Sequence, residues 1–137
     1  MSVSNAAAQP RAIVVQDISC VGRCSLTVAL PVLSAAGVNT AVVPTALLST
    51  HTGEFTGYTH LDLSGQLLPI ARHIETLGLH FDAFYSGYLA SGAQVEMVLE
   101  MWTRPSGITG GCTRCWIAAC PRRCAACAPA RARSRRI

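Results

Sequence analysis

The sequence predicts an α/β domain over residues 12–102, with a parallel β-sheet carrying helices on its faces in the order β-α-β-α-β-α. Short β-branched apolar runs alternate with stretches of helical periodicity, which is the pattern of strands covered on both faces. Half of the 137 residues are apolar, enough for one domain with a real core. Charge is partitioned as well: the segment through Met101 holds three arginines against all seven carboxylates, whereas eight arginines and no acid follow.

Ala12-Ile13-Val14-Val15-Gln16 is the first strand, ending near Asp17. A loop with Gly22 leads to a helix over 25–36, with Leu26, Leu30 and Leu33 on one side, a kink at Pro31 and a stop at Gly37. Thr40-Ala41-Val42-Val43 is a second strand, and 44–60 reads as a long loop rich in Thr, Gly and His, a length that points to function. Asp62 or Ser64 caps the next helix, whose Leu67, Ile70, Ala71, Ile74 and Leu77 follow the i, i+3, i+4, i+7 spacing up to Gly78. Asp82-Ala83-Phe84-Tyr85 is the third strand. Ser91 with Gln94 then forms a capping box opening a helix with Val95, Val98, Leu99 and Trp102 on one face.

Beyond Trp102 the periodicity stops. Residues 103–137 are expected to be an unrelated, disordered Cys/Arg-rich tail, and residues 1–11 a disordered N-terminus. The tail's composition, in a chain without lysine, fits a GC-rich message read in another frame. Residues 24–53 carry no charge, but Pro31, Gly37, Asn39 and Pro44 divide them into helix- and strand-length pieces, so no membrane span is expected. Met1 to Arg11 lacks the charged start and apolar run of a signal peptide, which gives a cytoplasmic expectation. Cys112-x-x-Cys115 and Cys124-x-x-Cys127 superficially resemble a zinc site, and the arginines could contact nucleic-acid phosphates. The spacing of the pairs is short and no nucleic-acid fold accompanies them. Neither zinc nor specific nucleic-acid binding is therefore expected, and both stay as an alternative reading.

In an open parallel sheet, ligands bind at the carboxyl ends of the strands. Three segments are expected there: Gln16-Asp17-Ile18-Ser19, Ser49-Thr50-His51-Thr52-Gly53 and Ser86-Gly87-Tyr88-Leu89-Ala90-Ser91. They bring a carboxylate, an imidazole, a phenol and several hydroxyls, a set suited to a flat, polar heteroaromatic molecule.

At these residues, and from about Ala12 to Trp102, the chain resembles the pyridoxal/pyridoxamine kinases of the ribokinase-like superfamily. The matching pattern is Val15-Gln16-Asp17, Gly22, Ala36-Gly37-Val38, Thr50-His51-Thr52-Gly53 and Ser86-Gly87-Tyr88-Leu89, in this order. The resemblance implies a three-layer ribokinase-like α/β fold, truncated after about three β-α units. It also implies ATP-dependent phosphorylation of the hydroxymethyl group of pyridoxal, pyridoxamine or pyridoxine with Mg2+, a small-molecule substrate and a homodimer. Substrate-binding residues implied by it are Asp17, Ser19, Thr50, His51, Thr52 and Tyr88, with Asp17 toward the pyridine ring, His51 in the loop over it and Tyr88 lining the same pocket. Many members have serine at the Asp17 position, so a related hydroxymethylpyrimidine is an equal candidate.

The departures matter equally. The family's Asp-Pro-Val strand end and later Gly-x-Gly-Asp loop, which serve Mg·ATP and supply the base, have no counterpart, and Gly107-Ile108-Thr109-Gly110-Gly111 contains no acid. No catalytic aspartate and no nucleotide-binding element is expected in this chain, which should be inactive alone. A non-catalytic B6-binding module is the second reading.

Overall fold

The computed structural model describes residues 9–103 and a strand at 114–117. In order these are β1 (Arg11–Val21), α1 (Leu26–Ala35), β2 (Asn39–Thr50), β3 (His60–Asp62), α2 (Ser64–Thr76), β4 (Ala83–Ser86), α3 (Gly92–Thr103) and β5 (Arg114–Ile117). One sheet holds all the strands in the order β3-β2-β1-β4-β5. β1 runs parallel to β2 and β4, and β4 parallel to β5, while β3 pairs antiparallel with β2. The architecture is thus α/β with a mostly parallel, mixed sheet.

β1 lies at the centre because it is the most apolar run. Ile13, Val14 and Val15 are fully buried, which only a strand covered on both faces achieves. Ile13 and Val15 join Val43, Leu67, Ala71, Phe84, Val98 and Met101 in one cluster beneath α2 and α3. Val14 alternates to the opposite face. The chain moves from β1 to β2 in one direction and from β2 back across β1 to β4 in the other, so right-handed crossovers put α1 and α2 on opposite faces.

The first helix is where expected, with Pro31 inside it. It ends in a Schellman arrangement: Gly37 N–H donates to Ser34 O (2.9 Å) and Val38 N–H to Leu33 O (2.9 Å). Gly37 has φ +76°, which an L side chain seldom adopts. The second helix follows the predicted periodicity, with Leu67 and Ala71 buried.

Three features depart from the sequence expectation. The 44–60 loop is shorter than its composition suggests, because β2 continues through Thr50 and β3 returns beside it. Pro44 looked like a breaker, yet it sits at an irregularity: β2 takes three steps from Pro44 to Leu47 while β1 takes two from Gln16 to Ile18. A bulge tolerates a residue with no N–H. Second, β1 extends past Asp17 to Val21. Third, β5 forms within the segment read as structureless; its four residues pair with Ala83–Ser86 along a strand edge that would otherwise be open. The remainder of that segment, including the Gly107–Gly111 stretch and the Cys124 pair, lies outside the described residues, as do the first eight residues. Of the N-terminal stretch expected to be disordered, Gln9 Nε2 donates to Gly37 O (3.0 Å) and Asn39 N–H to Pro10 O (2.8 Å).

At the start of α2, Asp62 acts as sequence suggested, though from outside the helix. Its Oδ1 accepts from both Ser64 Oγ (2.6 Å) and Ser64 N–H (2.8 Å). The Ser64 hydroxyl first, then the Ser64 N–H, hold the Asp62 carboxyl below its usual 3.8, with Gln94 and His60 adding to the effect. A depressed pKa contributes stability that is complete above the ordinary carboxylate value and fades as pH falls through the lowered one. Asp62→Asn should therefore lower stability at neutral pH, by a margin that shrinks as pH falls through the lowered value, so that the acid limb of the stability–pH curve is flatter. Urea midpoints at pH 2.5, 4 and 7 check this; an equal shift at every pH would count against it.

Candidate functional site

The carboxyl ends of β1, β2 and β4 converge, as the crevice rule for parallel sheets requires. Between them lies a cavity of about 170 Å³ lined by Asp17, Ser19, His51, Thr52 and Tyr88, together with Cys24, Ser25, Leu48 and Gly53. Drug-sized ligands need roughly 300–1,000 Å³, so this space suits a single small ring.

Asp17 forms its floor and is 3% exposed. Ser19 Oγ donates to Oδ2 (3.0 Å) and Ser25 Oγ to Oδ1 (2.7 Å). Hydroxyls satisfy the carboxylate without neutralising it, and among the described residues no cation pairs with it. A buried, uncompensated carboxylate favours a ligand that presents N–H or O–H.

His51 follows β2 directly. Its backbone N–H donates to Val21 O (3.1 Å), and its Nδ1 accepts from Gly53 N–H (3.2 Å). With Nδ1 occupied as an acceptor, a neutral ring carries its proton on Nε2. That nitrogen stands 3.7 Å from the exposed Glu54 carboxylate, and Phe55 packs edge-to-face on the ring at 5.2 Å. Gly22 makes this placement possible: its φ is +124°, and a Cβ there would overlap His51 Cδ2.

Tyr88 reaches the cavity from the loop after β4, whose course is fixed at two points. Gly87 N–H donates to Val15 O (2.9 Å) and Thr45 Oγ1 to Tyr88 O (3.3 Å). A side chain at Gly87 would collide with the buried Gln16 amide, so only glycine lets this loop cross β1 so closely. The loop is also tied through Gln94, fully buried in α3. Its Oε1 accepts from Ala90 N–H (2.8 Å), and its Nε2 faces Thr45 O (3.1 Å), Asp62 Oδ1 (3.1 Å) and Ser64 Oγ (2.9 Å). The capping box is only half realised: Ser91 Oγ accepts from Gln94 N–H (3.3 Å), but the Gln94 side chain turns to Ala90 rather than to Ser91.

Among solved structures, a phosphomethylpyrimidine kinase of Bacteroides thetaiotaomicron crystallised with pyridoxal matches at 37% identity and TM-score 0.64, over 72% of this chain and 35% of that one. The pyridoxal kinase of Lactobacillus plantarum matches at 33% identity and TM-score 0.62, over 80% and 36%. Over its described residues, this chain resembles the N-terminal part of these kinases in sequence and fold. A pyridoxal kinase of Entamoeba histolytica with PLP, at 16% identity and TM-score 0.67, shares the fold. The chain spans little more than a third of the length of these kinases. No family model and no curated protein matches it.

Five of the six residues that the resemblance assigned to substrate lie around one cavity of this pyridoxal kinase-like fold. Thr50 does not line it; its Oγ1 is buried without a partner among the described residues. Ser25, Cys24 and Leu48 line the cavity without having been singled out. Leu48 was hidden by the premature end assigned to the second strand. Cys24 is a free thiol. Ser25 gave no signal, because its role depends on a backbone conformation that serine rarely takes.

The kinase relatives raise the question of Mg2+ and ATP. Among the described residues no group of three His, Cys, Asp or Glu side chains gathers to hold a metal ion. Asp17 already gives both oxygens to hydroxyls. These residues do not fit Mg·ATP, and no phosphoryl-transfer step is assigned to them. No helix among them is long and apolar enough to cross a membrane.

Proposed function

We propose that residues 11–103 form the vitamin-binding side of a B6 kinase, holding pyridoxal or a related hydroxymethyl heterocycle in the cavity between β1, β2 and β4. The observation that carries this reading is the clustering of Asp17, Ser19, His51, Thr52 and Tyr88 around one small cavity, in a chain 37% identical to a kinase crystallised with pyridoxal. Asp17 accepts hydrogen bonds from the ring's N–H or O–H substituents. His51 Nε2–H donates to an oxygen substituent of the ring, and Tyr88 offers an apolar ring face and a phenol. Thr50 belongs to the site only as the end of β2 that delivers His51.

Phosphoryl transfer needs an activated base and charge neutralisation around the phosphate, each worth about two to four orders of magnitude. No carboxylate follows Glu100 to provide either. The expected result is saturable pyridoxal binding by the full chain in isothermal calorimetry, without pyridoxal phosphate formation when Mg·ATP is added. Absence of binding up to millimolar pyridoxal would sink the proposal, and turnover near one per second, within the usual enzyme range, would show that ATP is bound by groups other than those described. A cytoplasmic location and a homodimer are part of the same proposal, the second checked by sedimentation equilibrium.

A further inference from the structure

Ser25 is in a conformation that serine does not choose. Its φ of 56° and ψ of −144° lie outside the left-handed helical basin open to other L residues, in a region used almost only by glycine. It is the one non-glycine residue with positive φ among the described residues. It also forgoes the task that serine ordinarily performs at a helix start. As the N-cap of α1, its hydroxyl should accept from a first-turn N–H, yet no side-chain cap bond forms. Only its carbonyl serves the helix, accepting from Val28 N–H (3.2 Å) and Ala29 N–H (3.0 Å). The hydroxyl turns away and donates to Asp17 Oδ1 at 2.7 Å, a short bond to a buried carboxylate.

Both departures have one result: Asp17 is held from two sides, by Ser19 on Oδ2 and by Ser25 on Oδ1. Glycine would relieve the backbone, and an unstrained serine would cap the helix; neither would hold Asp17. Strain of this kind persists where the surrounding structure over-determines a residue, and it collects at functional sites. We infer that Ser25 is a positioning residue for the vitamin site, its strained backbone aiming the hydroxyl that fixes the Asp17 carboxylate toward the ligand. The inference rests on the pyridoxal reading above, and goes beyond it in giving a role to a residue of the cavity wall whose hydroxyl is spent on Asp17.

A matched pair of variants tests it. Ser25→Ala and Ser25→Gly both remove the hydroxyl, but only alanine keeps the strain. Ser25→Gly should therefore melt several degrees above Ser25→Ala, whereas both should bind pyridoxal about tenfold or more weakly than the parent chain, the effect of losing one hydrogen bond to a charged group. In an Asp17→Asn background the same two changes should leave affinity nearly unaltered. Affinity that follows melting temperature, or glycine binding like the parent, would overturn the inference. If Ser25→Ala does not fold, Ser25→Gly alone carries the comparison. The rotamer of Asp17, read from side-chain scalar couplings by NMR without ligand, gives an independent answer: one rotamer in the parent and averaging in both variants supports the role, and an unchanged rotamer overturns it. If the parent itself binds no pyridoxal, the proposed function fails and the rotamer measurement still decides the role of Ser25.

Discussion

Gly22→Ala should abolish tight pyridoxal binding while leaving the sheet folded. The added Cβ would overlap the His51 ring, and the φ of +124° is strained for any L side chain. Strain alone costs about 1–3 kcal/mol. The ring must also move, breaking the bond from Gly53 N–H to Nδ1 that sets its orientation and displacing Thr52 beside it. Losing two positioned polar groups, at about 1–1.5 kcal/mol each, predicts a dissociation constant raised roughly 30-fold or more. Gly57→Ala is the control: its φ is +72°, but nothing lies within 4 Å of the added carbon. Calorimetric titration of both variants should show the loss only for Gly22. Equal effects would mean that backbone strain, not the histidine, governs the site.

The largest stability loss is expected from Gln94→Ala. This amide ties α3 to the end of β4, to β2 and to the Asp62–Ser64 corner. Truncation removes a fully buried side chain together with its bonds to Ala90 N–H and Thr45 O, and opens a cavity. Together these cost about 2–4 kcal/mol. Gln94→Met fills much of the space without restoring the bonds, and should recover only the packing share. Urea denaturation gives both values, and a loss below about 0.5 kcal/mol, typical of an ordinary surface site, would refute the role assigned to Gln94.

How much of this was legible depended on whether a residue's role was local. The core strand at Ala12–Gln16 and the periodicity of Leu67, Ala71 and Ile74 could be read because a period of burial is written in consecutive residues. The far half of β2 was missed since Pro44 normally ends a strand, and the bulge that tolerates it exists only in register with β1. β3 has three exposed residues and no apolar pattern to detect. Gln94 was seen as half of a capping box, but its other partners are 30 to 49 residues away in sequence. Ser25 could not be read at all: nothing in Arg23-Cys24-Ser25-Leu26 announces a positive φ.

The strand order has a consequence for how the chain is made. β1 is synthesised first, yet its second neighbour, β4, arrives much later: the bond from Arg11 N–H to Asp82 Oδ2 closes a separation of 71 residues. At typical elongation of about 5–20 residues per second, the Ala12-Ile13-Val14-Val15 run waits roughly 4–14 s on the ribosome with one edge uncovered. An apolar, β-branched, uncharged segment in that state is a template for pairing with other nascent chains. Yield should therefore depend on translation speed and on chaperones that shield emerging chains, before any property of the finished site comes into play.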